Sequence, residues 1–160
     1  MSIPTPLPSA KEVRELIEGL IGRDVNVATG GAMVDPAAGG LTGVYVDRRL
    51  ALVALVILDV PLAASIGAAL GLVPVHVAAE AAELGQLPQA LSENAGEVLN
   101  VMASLFNLEG APHVRLDRIY QPGEPLPADV ATWVLAYVRR TDLDMEVAGY
   151  GSGGFSLLVI

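Results

Sequence analysis

Between Pro88 and Gly110 the chain sets five polar residues on one side of an otherwise apolar helical repeat. At about 100° per residue, Glu93, Glu97, Asn100, Ser104 and Asn107 fall within an arc of roughly 80°. Leu91, Ala95, Val98, Leu99, Met102, Leu105 and Phe106 spread around the opposite direction and would dock the helix on a core. Carboxylates accept protons or meet cations, and a carboxamide both donates and accepts hydrogen bonds, so this stripe is a candidate working surface. Stability does not explain it. Glu93 and Glu97 are like charges four residues apart, which costs about 0.2–0.5 kcal/mol, and no Lys or Arg of the same helix offsets them. The competing reading is a plain solvated helix face.

Other groups of chemical interest have simpler explanations. Gly149-Tyr-Gly-Ser-Gly-Gly precedes a strand, and no Lys-Ser/Thr closes it, so it reads as a hairpin turn and not a phosphate loop. Gly30-Gly31 and Gly39-Gly40 are likewise turns. His76 and His113 have no carboxylate or histidine neighbours at ligand spacing, which leaves them structural or surface residues. No Gly-x-Ser-x-Gly elbow precedes a helix. Asp142, Asp144 and Glu146 alternate along an expected strand and share a face expected to meet solvent. Trp133 and Tyr137 would also share a face, in the core or at a dimer contact.

Composition removes whole classes of function. The chain has 160 residues, enough for one domain with a substantial core. Its net charge of −9 offers no cluster to neutralise nucleic-acid phosphates or an anionic membrane. With no Cys there is no disulfide frame, thiolate zinc site or thiol nucleophile, and a reducing, cytoplasmic setting fits. Aromatics supply only 4% of residues against 52% apolar overall, so Ala, Val, Leu and Ile must do the packing. The first residues lack the basic start and apolar run of a signal peptide. Leu50–Val73 is apolar but broken by Asp59 and Pro61, which fits a buried strand followed by a small-residue helix better than a membrane span.

The elements that must position the stripe follow from local signals. Residues 1–8 hold three prolines and read as an extended tail, with a single domain over 9–160. Ser9 and Glu12 form a capping box for a helix whose stripe is Val13, Leu16, Ile17, Leu20 and Ile21, ending at Gly22. Asp24–Val34 suggests a strand. Leu41–Val46 and Leu50–Val60 read as a hairpin whose second strand is buried on both faces. Pro61 suits the first turn of a helix running to about Leu70, and Val75–Glu83 reads as a short helix. Beyond the striped helix, Gly110 and Pro112 are stop signals. His113–Tyr120 reads as a strand, and Pro122, Pro125 and Pro127 as a loop. Val130–Val138 reads as strand, with helix the alternative, and Leu143–Gly149 with Phe155–Ile160 closes as a hairpin. Each half therefore runs helix, then about three strands. That order predicts an α+β fold: a mostly antiparallel sheet of six or more strands, long helices on one face, and pseudo-duplicated halves.

This order, with Glu97-Val98-Leu99-Asn100 on the striped helix, resembles the CheC/CheX/FliY family of chemotaxis phosphatases. The family's signature is an Asp or Ser, three residues, a Glu, two residues and an Asn, on a long helix with a Pro downstream. Here Pro122 stands near that downstream distance, and Gly43-Val-Tyr-Val-Asp, the buried strand, Ala63–Gly71 and the final hairpin follow in family order. Two departures stand out. Glu93 occupies the Asp/Ser position, with Ser92 beside it, and the first helix offers only Glu15-Leu-Ile-Glu18, with no Asn. The resemblance therefore implies one site, as in CheX. It implies an enzyme that hydrolyses the aspartyl-phosphate of a receiver domain, with Asn100 orienting the attacking water and Glu97 meeting the receiver's lysine. Glu93 and Ser104 are possible accessory residues. No intrinsic cofactor is implied, because the receiver brings its own Mg²⁺. The alternative is a catalytically silent module that docks a receiver or another signalling partner. A homodimer is expected from the edges an open sheet leaves.

Overall fold

The computed structural model describes residues 3–160. Its elements in chain order are α1 (Ala10–Ile21), β1 (Val25–Thr29), β2 (Gly40–Val46), β3 (Leu52–Asp59), α2 (Val60–Leu70), α3 (Val75–Leu84), α4 (Gln89–Met102), β4 (Arg115–Tyr120), α5 (Ala128–Ala131), β5 (Arg139–Val147) and β6 (Gly151–Val159). The six strands form one antiparallel sheet in the order β1-β5-β6-β3-β2-β4. Exchanging β1 with β4, β2 with β5 and β3 with β6 reverses that order onto itself. The expected duplication is thus a pseudo-two-fold passing between β3 and β6, with β1 and β4 as the two edges.

Local chemistry accounts for the helix ends. Ser9 Oγ accepts from the Glu12 N–H while Glu12 Oε1 accepts from the Ser9 N–H, both at 3.1 Å, and Gly22 closes α1 in the left-handed region. Asp59 caps α2 by accepting from the Leu62 N–H, with Pro61 in the first turn. α2 is the central helix. It is buried from Val60 to Ala69 apart from Pro61, which is why its small apolar residues carry no amphipathic pattern.

The main core lies between the helices and one face of the sheet. Val13 and Ile17 of α1, Leu62 and Ile66 of α2, and Ala95, Val98, Leu99 and Met102 of α4 meet Leu41, Tyr45, Val56, Leu143, Phe155 and Leu157. Tyr45 is fully buried; its ring centroid is 5.1 Å from that of Phe106, and its hydroxyl donates to the Leu99 carbonyl at 2.5 Å. Burial pushes that phenol's pKa far up, so it acts only as a neutral donor.

Several expectations are corrected. Val130–Val138 is not a strand. α5 and the turns after it cover the opposite face of the central strands, where Val130 and Val134 pack on Val44, Leu55, Ile57 and Leu158. β-propensity there reports a need for bulky side chains on a sheet surface, not pairing. β1 stops at Thr29, short of Val34, because the chain breaks at the Gly30 turn. Asp142 does not face open solvent. Its side chain is 14% exposed, pairs with Arg140 through two hydrogen bonds of 2.8 and 2.9 Å, and accepts from Ser156 Oγ. Arg140 also donates to the Val134 and Ala136 carbonyls, holding the covering turn down. Trp133 is half-buried against that cover while Tyr137 is 95% exposed, so they do not share an environment.

The crossing of α2 and α4 is unusually close. A Cβ built on Gly67 would overlap the Leu91 carbonyl oxygen, and Asn94 Nδ2 donates to the Gly67 carbonyl at 3.0 Å. Gly67→Ala is therefore expected to destabilise the protein. Overlap with a main-chain carbonyl costs about 3 kcal/mol, more than the ~1 kcal/mol that Ala gains in helix propensity. Gly19 of α1 has nothing within 4 Å of such a Cβ, so Gly19→Ala is expected to stabilise. Urea unfolding of the two variants against the native chain checks the opposite signs.

Candidate functional site

The crossing with α2 fixes how α4 is turned about its own axis. Ser92 and Asn94 lie about 100° to either side of Glu93, and each is tied to a different neighbour. Asn94 reaches α2 as described, while Ser92 Oγ donates to Gln121 Oε1 at 2.5 Å on the side of β4. Gly96 continues that side, where a Cβ would stand 3.0 Å from Ile119. The residues between these two flanks face outward, and Glu93, Glu97, Asn100 and Ser104 are all exposed.

The structure separates the stripe into parts. Glu97 and Asn100, one turn apart, have no intramolecular side-chain hydrogen bond among the described residues. Glu93 accepts from Gln89 Nε2 at 3.0 Å. α4 ends at Met102 and gives way to a 3₁₀ turn over Ala103–Phe106, which carries Ser104 beyond the groove that the other three line. Asn107 is exposed too, but its carboxamide is fully engaged within the chain. Its amide nitrogen donates to the Ala103 and Val114 carbonyls at 3.1 and 2.9 Å, and its oxygen accepts from the Val114 N–H at 2.8 Å. It is the bolt that stops the helix and anchors the approach to β4, and its place in the periodic stripe is a coincidence of spacing.

Two open hollows adjoin along α4. One, of about 610 Å³, is lined by Glu93, Glu97 and Asn100 on the helix and by Leu116, Ile119 and Gln121 opposite. The other, of about 590 Å³, continues past Ser92, Glu93 and Gln121 to Pro122 and Gln86. Together they make a groove whose far wall is β4 and the turn after it. That turn is braced: the Gln121 N–H donates to Glu124 Oε1 at 2.9 Å, and Arg118 Nη2 meets Glu124 Oε2 at 2.6 Å while stacking over Tyr120. The Gln121 N–H and, after it, the Arg118 guanidinium hold the Glu124 carboxyl below the ordinary carboxylate range against the opposing effect of desolvation. A depressed pKa means the brace is complete at neutral pH and is lost only as pH falls through that lowered value.

A larger hollow, about 740 Å³, lies at the start of α2, lined mostly by small residues together with Asp35, Asp59 and Asp144. Its Asp59 already accepts from the Leu62 and Gly154 N–H groups at 2.9 and 2.7 Å. No group of three or more His, Asp or Glu among the described residues is arranged to hold a metal ion. On α1, the counterpart of α4 across the pseudo-two-fold, Glu18 accepts from the Val25 N–H at 2.8 Å and Glu15 stands 3.8 Å from Lys11. His76 and His113 are exposed, with no side-chain hydrogen bond among the described residues.

Sequence reasoning singled out the outward stripe, noted Ser92 only as the neighbour of the Asp/Ser position, and passed over Asn94 and Gln121. Ser92 and Asn94 carried a usable signal: polar residues on an apolar side of a helix must find partners when buried. No helix among the described residues is long and apolar enough to cross a membrane.

No protein-family model and no curated protein matches the sequence. Solved structures do. The fold is similar to FliY from Thermotoga maritima, with a TM-score of 0.58 and 16% identity over 92% of this chain and 81% of that one. It is also similar to a chain of the FliM–SpeE complex from H. pylori, at 0.55 and 9% identity over 94% and 80% of the two chains. A chain of the FliG–FliM complex from H. pylori gives 0.50 and 8% over 92% and 84%. At these identities the likeness speaks for the fold alone, which is the expected CheC-like α+β fold.

The separation of the stripe has a direct test in stability. Glu97→Ala and Asn100→Ala are expected to change unfolding free energy by no more than about 0.5 kcal/mol. Asn107→Ala strands the main-chain groups of Val114, which is buried, and is expected to cost about 2 kcal/mol. Denaturant titrations of the three variants measure the difference.

Proposed function

We propose that this protein hydrolyses the aspartyl-phosphate of a response-regulator receiver domain, in chemotaxis or a related two-component pathway. One observation carries the reading: Glu97 and Asn100 stand one turn apart, exposed and unengaged, on an open groove whose far wall includes Pro122. The CheC-like fold, with the Glu-x-x-Asn pair on the corresponding long helix, supports it.

In this mechanism the receiver docks against α4 with its phosphoaspartate facing Asn100. The Asn100 carboxamide oxygen accepts from a water and its N–H group donates toward the phosphoryl oxygens, so the water oxygen is held in line with phosphorus. The water oxygen bonds to phosphorus as the P–O bond to the aspartate breaks. The carboxylate leaves as aspartate, and the water's protons end on inorganic phosphate or solvent. Glu97 meets the receiver's lysine, so its negative charge aids docking without repelling the phosphoryl group. The receiver's own Mg²⁺ supplies charge neutralisation at phosphorus, and this chain contributes position.

Glu93 favours a second reading. It stands where the family has Asp or Ser, and its longer side chain is turned back along the helix to accept from Gln89 Nε2, so its carboxylate is not placed as the shorter residue's group would be. A module that binds a receiver without accelerating hydrolysis fits that substitution.

The test uses receiver domains encoded beside this chain, phosphorylated with a small-molecule donor, with phosphate loss followed at varied protein concentration. Acceleration is the expected result, and binding without acceleration selects the module. Asn100→Ala is expected to lower kcat about 100-fold or more with docking largely intact. Glu97→Ala removes a charge-assisted contact and is expected to raise KM about tenfold as well as lower the rate. Glu93→Ser is expected to preserve or raise activity. Full activity in Asn100→Ala would overturn the assignment.

A further inference from the structure

We propose that Gln121 is a docking residue for the receiver: its carboxamide nitrogen donates a hydrogen bond to an acceptor on the receiver surface lying in the α4–β4 groove. This rests on the reading of α4 as the receiver-binding helix, and adds to it a second contact point on another element.

Gln121 is exposed, yet it is held at both its main chain and its side chain. Its N–H is bonded to Glu124, its carbonyl accepts from the Glu124 N–H at 3.0 Å, and its side-chain oxygen accepts from Ser92. An exposed glutamine ordinarily gains nothing from one fixed rotamer, because water satisfies it in any of them. Here a serine only 7% exposed needs a partner, and Gln121 supplies it. The oxygen is thereby engaged, while the amide nitrogen has no partner among the described residues and borders both hollows of the groove.

The other polar groups along the groove set the value of that donor. Glu93 and Glu97 offer only acceptors. Asn94 spends an amide hydrogen on the Gly67 carbonyl, and Gln89 spends one on Glu93. Each of these keeps a second amide hydrogen, and Gln86 at the far end of the groove has no side-chain partner among the described residues. In the hollow beside Glu97, Asn100 and Gln121 are the carboxamides whose nitrogens are wholly unengaged, and of the two only Gln121 has its oxygen fixed. Ser92, which holds Gln121, lies eight residues from Asn100, about 12 Å along the helix axis. One phosphoryl group cannot meet both, so Asn100 serves the reacting centre and Gln121 serves the receiver surface beside it. A partner acceptor reaching the hollow that Gln121 shares with Asn100 meets the Glu93 and Glu97 carboxylates there, and a donor held in place offsets their repulsion.

Two variants separate docking from a merely structural pin. Gln121→Ala removes both the pin and the donor. Gln121→Glu keeps an acceptor for Ser92 and removes the donor. Both are expected to raise KM, and the Kd for a receiver carrying a beryllofluoride phosphoryl mimic, about three- to tenfold. In both, kcat is expected to stay at the native value; Tm is expected to stay native in Gln121→Glu and to fall in Gln121→Ala, which leaves the Ser92 hydroxyl without its partner. Recovery of native KM and Kd in Gln121→Glu would show the side chain to be a pin only, and unchanged constants in Gln121→Ala would show it to be idle; either overturns the proposal while leaving the α4 reading in place. If the native chain neither binds nor dephosphorylates a receiver, the α4 reading falls and takes this one with it.

Discussion

The close crossing of α2 and α4 is the constraint on which the rest of the structure depends. Gly67 lets the Leu91 carbonyl approach where any side chain would collide, and Asn94 bonds the Gly67 carbonyl from the other helix. A helix seated at one tight point and tied by one side chain can neither rotate nor slide freely. Every other orientation on α4 follows: the apolar side meets Tyr45 and Phe106, Ser92 turns to the post-β4 turn, and Glu93, Glu97 and Asn100 turn outward. The exposed residues are placed by interactions they do not make.

Two faces of one sheet are covered by different means. The helices bury one face with aliphatic side chains. The other is closed over its centre by the α5 region, whose turns are held by Arg140 bonded to two carbonyls and to Asp142. A pair this buried is costly unless its hydrogen bonds are complete, and here Ser156, itself bonded to the Val34 N–H, helps complete them. The polar network does what a strand would otherwise do, which is to fix a connection across the sheet.

The pseudo-two-fold makes the two halves alike in strand order and unlike in chemistry. α1 and α4 occupy equivalent places beside edge strands β1 and β4. On α1 the carboxylates are engaged, Glu18 by the start of β1 and Glu15 by Lys11 across one turn. On α4, Glu97 and Asn100 are free of intramolecular bonds, and a groove opens beside them. Similar architecture thus supports a candidate site in one half and plain structure in the other.

Much of this was legible in the chain itself, because it rests on interactions a few residues long. The Ser9–Glu12 box, the Gly22 stop, the Asp59-Val-Pro61 start of α2 and the outward stripe of α4 are local consequences of capping and periodicity. The α+β order followed from them. What only the tertiary structure decided involves partners far apart in sequence. Asn107 looks like a fourth turn of the stripe until Val114 folds back onto it, and Asp142 looks solvated until Arg140 and the 134–136 turn cover it. Val130–Val138 has the composition of a strand, yet it pairs with neither sheet edge and instead lays Val130 and Val134 on the sheet's face as a cover. Gly67 shows the limit most plainly: in the sequence it is one small residue among many, and only the arrival of Leu91 makes the missing Cβ decisive. Periodicity tells which way a residue points along its own helix; what it meets there is set by the packing of elements whose contacts leave no local mark.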